Sequence, residues 1–375
     1  MRSVGVEEEL LLVDPKTGEP RALSTAVLAI AARWSRAGRQ HTFTKELHGQ
    51  QLEFATHPQT GMRELAAEIR RWRAEAADHA AEAGGAVAAL ATSPLPAGPA
   101  LSEGKRYRWI QEHFGLTAQE QLTSGCHVHV SVVSDEEGVG VLDRIRPWLS
   151  VLLALSANSP FWQGHDSGYS SYRSRVWGRW PSAGPVEVFG SADRYHRQVR
   201  DLLGTGVLHD EGMIYFDARL SRTYPTVEVR AADVCLDAST TALIATLTRG
   251  LVDTAARQWR DGEPPARHGV GLLRAAAWRA SRSGLDDTLI HPLTMRPAPA
   301  ERVVHALLAH VEDALDANGD LDHAREGLAR LLRTGNGARV QRQLLRRTGS
   351  LREVVAACVR RTQEGARAEE APAPS

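Results

Sequence analysis

An α+β fold built around a mainly antiparallel sheet is predicted for this 375-residue chain by three observations. Seven short runs are rich in β-branched and apolar residues. Longer stretches between them place apolar residues at spacings of three and four, the period of a helix face. Two tight links, at His48-Gly49 and over Ser221 to Pro225, join neighbouring strand runs as hairpins do, which favours antiparallel pairing.

In chain order, strands are predicted over Val4 to Val13, His41 to Glu46, Leu52 to Thr56, Ala86 to Thr92, Gly125 to Val133, Met213 to Leu220 and Thr226 to Val234. Helices are predicted over Ser24 to Ala37, Met62 to Glu82, Leu142 to Ala157, Ala192 to Leu203 and Thr240 to Arg260. After about Pro264 the strand signals stop, and helices are expected over Gly269 to Ser283, Pro299 to Asp316 and Ala338 to Thr362. The expected organisation is one domain over residues 1–365, in which the segment from about 264 is a helical extension covering the sheet. Residues 366–375, ending Ala-Pro-Ala-Pro-Ser, read as a disordered tail.

A chain of this length with ordinary apolar content can bury a sizeable core. Its formal net charge is zero, so no basic field supports nucleic-acid binding. Arginines are spread along the whole chain, whereas Lys16, Lys45 and Lys105 are the only lysines. Cys126, Cys235 and Cys358 are odd in number and widely spaced, which argues against a disulfide framework and suits a reducing, cytoplasmic compartment. Met1 leads into a strand pattern rather than a basic and apolar leader, so no signal peptide is expected. The most apolar run, Trp148 to Ala157, is too short to cross a bilayer.

The chemistry is carried by polar residues inside apolar strand runs: Gly5-Val6-Glu7-Glu8-Glu9, Gln51-Leu52-Glu53-Phe54, Ser124 to Ser131 with His127 and His129, and Thr226-Val227-Glu228-Val229-Arg230. Side chains alternate faces along a strand, so Glu7 and Glu9 share a face, as do His127 and His129, and Glu228 and Arg230. Buried carboxylates are costly without a cation, and so many oxygen ligands favour Mg²⁺. Three bland readings stand beside this one: a solvated sheet face, a Zn²⁺ site at the His-x-His pair, and a histidine that only hydrogen-bonds within the sheet. Absence of a cysteine cluster favours the harder ion over Zn²⁺. Arg173, Arg219, Arg230 and Arg282 are the cationic candidates for phosphate or carboxylate; the alternatives are pairing with a neighbouring carboxylate for Arg219 and Arg230, a helix C-terminus for Arg282, and a surface loop with scattered arginines for Arg173. Arg173 falls in a Gly-, Ser- and Tyr-rich segment between Asn158 and Pro181, read as a long binding loop. Gly98 to Lys105 has the wrong glycine spacing for a phosphate-binding loop, and Gly269-Val270-Gly271 lacks the third glycine of a dinucleotide fingerprint.

These pieces occur in a particular order, together with Ala157 to Trp162, Gly164, Asp166, Trp180-Pro181, Asp233 and Trp278 to Arg282. The ordered set resembles the carboxylate-amine ligase family, also called glutamate-cysteine ligase type 2, over the chain from its first residues to past position 280. The resemblance implies a glutamine synthetase-like catalytic fold whose sheet forms a funnel. It implies ATP and Mg²⁺, with Glu7, Glu9, Glu53, His127 and Glu228 as metal ligands. His129, Arg219 and Arg282 would then meet nucleotide, and Arg173 and Arg230 the reacting groups. A homodimer is also implied. The expected reaction joins L-glutamate to an amine such as L-cysteine through an acyl phosphate, with ADP and phosphate released. Runners-up are a ligase for another acid and amine, a phosphotransferase, and a nucleotide-binding protein that has lost turnover.

Overall fold

The computed structural model describes residues 1–36 and 43–367. Its strands are β1 (Val4–Val13), β2 (Phe43–Lys45), β3 (Gln51–Ala55), β4 (Ala86–Ala88), β5 (Gly125–Ser131), β6 (Phe161–Trp162), β7 (His165–Asp166), β8 (Ala218–Leu220), β9 (Thr226–Asp233), β10 (Thr288–Ile290) and β11 (Pro297–Pro299). Seven of them form one antiparallel sheet in the order β2-β3-β1-β5-β9-β8, with β4 beside the end of β1. The β2–β3 and β8–β9 hairpins fall at the two predicted links.

Among the described residues, the α-helices around the sheet are α1 (Ser24–Arg36), α2 (Met62–Glu82), α3 (Lys105–Phe114), α4 (Leu116–Gln119), α5 (Asp135–Ile145), α6 (Leu149–Ser156), α7 (Arg173–Trp177), α8 (Ala192–Gly204), α9 (Ala238–Arg260), α10 (Val270–Ser283), α11 (Ala300–Ala317), α12 (Leu321–Thr334), α13 (Gly337–Thr348) and α14 (Leu351–Arg367). Alternation fixes which side they cover. Val6, Leu10 and Leu12 of β1, Val128 and Val130 of β5 and Val227 and Val229 of β9 pack in one core with α2 and α9. On the opposite side, Leu11 and Val13 meet Val340, Val354, Val355 and Cys358 of α13 and α14, which close one end of that face. The rest of it carries the polar residues. Helices α11 and α12 pack outside α9 and extend the main core.

Several predicted elements differ. The helix read as Leu142 to Ala157 begins at Asp135, where Ser134 accepts a hydrogen bond from the Glu137 amide. It is interrupted by a 3₁₀ turn over Arg146–Trp148, because Pro147 lacks the amide that would continue the ladder. The helix read as Ala338 to Thr362 is two helices divided at Gly349, whose φ of +67° ends the first of them. Strand signals do not stop at Pro264, since β10 and β11 form a hairpin; its rungs are too short, and too rich in proline, to show a period. Arg173 lies in α7 rather than in a loop. Met213 to Leu220 is a strand only over Ala218–Leu220, and Ala86 to Thr92 only over Ala86–Ala88. Helices α3 and α12 were not predicted. Residues 41–42 of the second predicted strand and 368–375 of the expected tail lie outside the described residues; the helix runs to Arg367. Among the described residues, no helix is long and apolar enough to cross a membrane.

Candidate active site

Register gathers the polar residues. Glu9 stands opposite Glu53 across β1 and β3, Glu7 opposite His127 across β1 and β5, His129 opposite Glu228 across β5 and β9, and Glu228 opposite Arg219 across β8 and β9. Directly paired residues in an antiparallel sheet project to the same side, so these side chains line one face. A register shift between Cys126 and Val128 marks a bulge on β9, where Arg230 and Ala231 together stand opposite His127.

Two clusters result. In the first, Glu7, His129 and Glu228 bring ligand atoms within 4.8 Å of one another. In the second, Glu9, Glu53 and Glu46 do the same. Glu46 was not singled out in the sequence, because it falls just after β2 with no apolar alternation around it. Its hairpin partnership with β3 was the signal available, since Lys45 pairs with Leu52 and leaves Glu46 beside the strand end. His127, predicted as a ligand, lies between the clusters. Its Nδ1 is 3.1 Å from Glu7 and 3.9 Å from Glu228, and its Nε2 is 3.9 Å from Glu9. His129, assigned by resemblance to nucleotide, instead belongs to the first cluster, with Nε2 3.3 Å from Glu7 and Nδ1 3.0 Å from the Thr226 hydroxyl.

The electrostatics follow from burial and company. Burial opposes ionisation of Glu7, yet hydrogen bonds with His127 and His129 hold it well below the carboxylate range. Glu228 is likewise buried but strongly lowered, by Arg230 and then Arg219. Arg219 grips it with Nε at 2.7 Å and Nη2 at 3.2 Å, and Arg230 Nη1 donates to the same carboxylate. The second cluster behaves oppositely: burial and the nearby Glu46 push Glu9 up to about 7 and Glu53 well above its ordinary value. Burial, then the Arg230 charge, lowers His127 to about 4. Neither His127 Nε2 nor His129 Nε2 has a well-aligned hydrogen-bond partner, although both are buried. Buried imidazole nitrogens that lie beside crowded carboxylates but lack a well-aligned hydrogen bond suit a divalent cation bound through oxygen with imidazole support.

Arginines close the site from the β9 side. Arg173 and Arg230 sit over Trp177, at 5.5 Å and 5.8 Å from its ring centre. Gly125 leaves room for Arg173, since a Cβ there would lie 2.3 Å from Arg173 Nη2 and displace the guanidinium, while the residue's amide donates to Glu9 at 2.7 Å. Arg173 also faces the buried Asp233 at 3.8 Å. Arg282 is not brought to the clusters; it is exposed at the end of α10, donates to the Gly168 carbonyl and lies over Tyr169. The face opens into a cavity of about 200 Å³ lined by Glu7, Glu9, Glu46, Glu53, Arg219 and Arg230, and roofed by Arg106 and Tyr107 of α3. A second, wider cavity on the far side of Glu7 and Arg219 contains His129, Glu228, Arg200 and Arg222.

A pH experiment tests the second cluster. His48 and His127 are lowered to about 4, so relative to their unfolded values they contribute stability that is lost only as pH falls below about 6.5. Glu9 and Glu53 are raised, so their contribution is lost as pH rises from about 4.5 through their folded values. His129, raised by Glu7 despite burial, acts in the same direction above pH 6.5. The metal-free protein is therefore expected to lose on the order of 1–3 kcal/mol between pH 6.5 and 8, with Mg²⁺ raising the melting temperature more at pH 8 than at 6.5. Equal Mg²⁺ shifts at both pH values would remove Glu9 and Glu53 from the metal set.

Comparisons with known proteins bear on the family and the fold. The model of glutamate-cysteine ligase family 2 matches residues 3–357. A Streptomyces avermitilis protein named "Putative glutamate--cysteine ligase 2-1" is 68% identical over 363 residues, 97% of this chain and 100% of that one. A Streptomyces coelicolor protein named "Putative glutamate--cysteine ligase 2" is also 68% identical, over 97% and 99% of the two chains. The crystal structure of a Francisella tularensis glutamate–cysteine ligase in complex with AMP has the same fold, with a TM-score of 0.72 at 15% identity over 99% of this chain and 90% of that one. A family match over nearly the whole length, with close relatives along the same span, is decisive: the chain belongs to glutamate-cysteine ligase family 2.

Proposed function

We propose that this protein is an ATP-dependent carboxylate-amine ligase that joins L-glutamate to an amine, with L-cysteine the first candidate. The observation that carries the reading is the single sheet face on which Glu7, Glu9, Glu46, Glu53 and Glu228 meet His127, His129, Arg219 and Arg230. Formation of an amide from a carboxylic acid and an amine is uphill in water, and phosphorylation of the acid by ATP overcomes this. Carboxylate oxygen attacks the γ-phosphorus, ADP leaves, and the acyl phosphate is then attacked by the amine with loss of phosphate and a proton. Both steps shift negative charge among phosphoryl oxygens.

Glu7, His129 and Glu228 would hold one Mg²⁺ and Glu9, Glu46 and Glu53 another, and these ions would supply charge neutralisation at the phosphates. The chain's own groups do the rest. Arg230 and Arg219 are fixed by Glu228, which pre-organises their remaining donors for an anion in the cavity. Trp177 and Trp180, with Tyr107 and Ile110 above, wall the cavity with apolar surface and keep water from a reactive acyl phosphate. Homodimer assembly and a cytoplasmic location belong to the same reading.

Hydroxylamine trapping tests activation without presuming the amine. Enzyme, Mg²⁺, ATP and L-glutamate are expected to yield a hydroxamate, above the yield from other amino acids and small carboxylates, and dependent on Glu53. No hydroxamate from any acid, under conditions where calorimetry shows MgATP bound, would replace the ligase reading with a non-catalytic nucleotide-binding one.

A further inference from the structure

Ala157 to Trp162, Asp233 and Trp278 to Arg282 stand out in the sequence but supply none of the metal or phosphate groups, and the fold brings them to one buried point. Asp233, the last residue of β9, is fully buried, and its carboxylate is the hub. Its Oδ2 accepts from the Asn158 amide at 2.9 Å and the Ser159 hydroxyl at 2.7 Å, and its Oδ1 accepts from the Ser171 hydroxyl at 2.8 Å. The same Oδ1 lies 3.8 Å from Arg173 Nη1. Ser159 Oγ in turn accepts from the Arg173 amide at 3.0 Å, so Asp233 holds both the start of α7 and the end of its first side chain.

The helical extension braces this hub from outside. Gln341 of α13 donates from Nε2 to the Asn158 carbonyl at 3.0 Å and to the Asn158 side-chain oxygen at 2.7 Å. Asn158 Nδ2 donates to the carbonyls of Ala89 and Val234, each at 2.8 Å, and the Ala338 amide donates to the Ala157 carbonyl at 3.0 Å. From α10, the Ser281 carbonyl accepts from the amides of Ser170 and Ser171 at 2.8 Å and 2.9 Å. Both segments that donate to Asp233 are thereby tied to the extension.

Those contacts do not need a charge. An amide at position 233 would accept from Asn158 and Ser159 through its oxygen and donate to the Ser171 hydroxyl through its nitrogen. A carboxylate alone supplies a counter-charge, kept in spite of the cost of full burial, and among the described residues its ion-pair partner is Arg173. Burial pushes Asp233 up, and the Arg173 charge is the strongest influence holding it down. Arg173 is itself only 2% exposed, and its Nε–H has no hydrogen-bond partner among the described residues. It is otherwise located by the Trp177 ring at 5.5 Å and by the space that Gly125 leaves.

We propose that Asp233 is a positioning residue for Arg173: it sets the guanidinium over Trp177 and against Gly125, beside Arg230, with its remaining donors free for an anion, while α10 and α13 hold Asp233 in place. The nature of that anion rests on the ligase reading; the pairing itself does not.

Asp233→Asn keeps the volume and the loop contacts, so it is expected to fold, as checked by melting temperature. In the hydroxamate assay with MgATP and L-glutamate it should lower kcat/KM about a hundredfold, the scale of a contact misplaced by about 1 Å. In an Arg173→Gln background the same change should cost less than about twofold, since the group that it positions is gone. Equal losses in both backgrounds would make Asp233 a loop residue only, and a folded Asp233→Asn with wild-type kcat/KM would equally overturn the positioning role. Nitrogen-15 spectra of the arginine side chains give a readout that needs no turnover. The Arg173 signals, identified by their loss in Arg173→Gln, should show separate, slowly rotating Nη groups in the wild-type protein and averaged ones in Asp233→Asn. Averaged Nη groups already in the wild-type protein would overturn the positioning role even where Asp233→Asn fails to fold. Restrained groups that loosen in Asp233→Asn, in a protein that makes no hydroxamate, would uphold the pairing and overturn the ligase reading instead.

Discussion

Glu228→Gln should lower Mg²⁺-dependent ADP release by at least about a thousandfold, the scale expected when a charge-stabilising contact to a phosphoryl group is removed together with a metal ligand. The residue is 2% exposed and stands at the junction of every charged element on the face. It pairs with Glu7 and His129 as a ligand set, accepts two hydrogen bonds from Arg219 and one from Arg230, and lies 3.9 Å from His127. Glutamine preserves the volume and one acceptor oxygen but cancels the charge. Both guanidiniums then lose their counter-ion, so they would be drawn toward any nearby carboxylate, Glu7 first, and the cation site would be depleted twice over. Some loss of thermal stability is expected as well, because the buried Arg230 and the half-buried Arg219 are left under-compensated. Activity is therefore read at a temperature where circular dichroism shows the variant folded. Turnover within tenfold of wild type, with unchanged Mg²⁺ dependence, would take Glu228 out of the phosphate chemistry.

The largest effect on folding is expected at Arg73→Met. Glu8 points away from Glu7 and Glu9 into the main core, where its carboxylate is fully buried. Arg73 of α2 meets it with two hydrogen bonds of 2.7 Å and uses its remaining donors on the carbonyls of Cys235 at 2.7 Å and Leu236 at 3.0 Å. Thr241 of α9 adds a third donor to the carboxylate at 2.6 Å. The pair therefore ties β1, α2, the end of β9 and α9 together at the back of the catalytic sheet. Methionine fills most of the space but strands an ionised carboxylate without its cation, which costs about 3–5 kcal/mol. Urea denaturation should show that loss in Arg73→Met, with much of it recovered in a double variant that also carries Glu8→Gln, since no charge then remains to be compensated. Loss below 1 kcal/mol in the single variant would mean that Glu8 is accommodated by protonation instead.

Glu8 illustrates how far sequence reading reaches. Alternation within Gly5-Val6-Glu7-Glu8-Glu9 assigned Glu7 and Glu9 to one face, and by the same rule put Glu8 on the other. Nothing local identified its partner, because Arg73 is 65 residues away on a helix whose amphipathic pattern would place an arginine at the surface. Arg282 failed for the complementary reason. Its place within Trp278 to Arg282 was conspicuous, but the direction of α10 carries it to the Gly168 carbonyl and the surface.

The sequence by itself determined the α+β class, the hairpins, the helix over Met62–Glu82 to the residue, and the face on which Glu7, Glu9, Glu53, His127, His129, Glu228 and Arg230 would lie. Those depend on a two-residue or 3.6-residue period, which neighbouring residues encode. Only the tertiary structure decided that Glu46 completes the second carboxylate cluster, that His129 joins Glu7 and Glu228 while His127 lies between the two clusters, and that Arg173 shares Trp177 with Arg230 from a short helix. Each of these is a contact between segments far apart in the chain, set by strand register and helix packing, and no period in the sequence records which distant side chain will arrive.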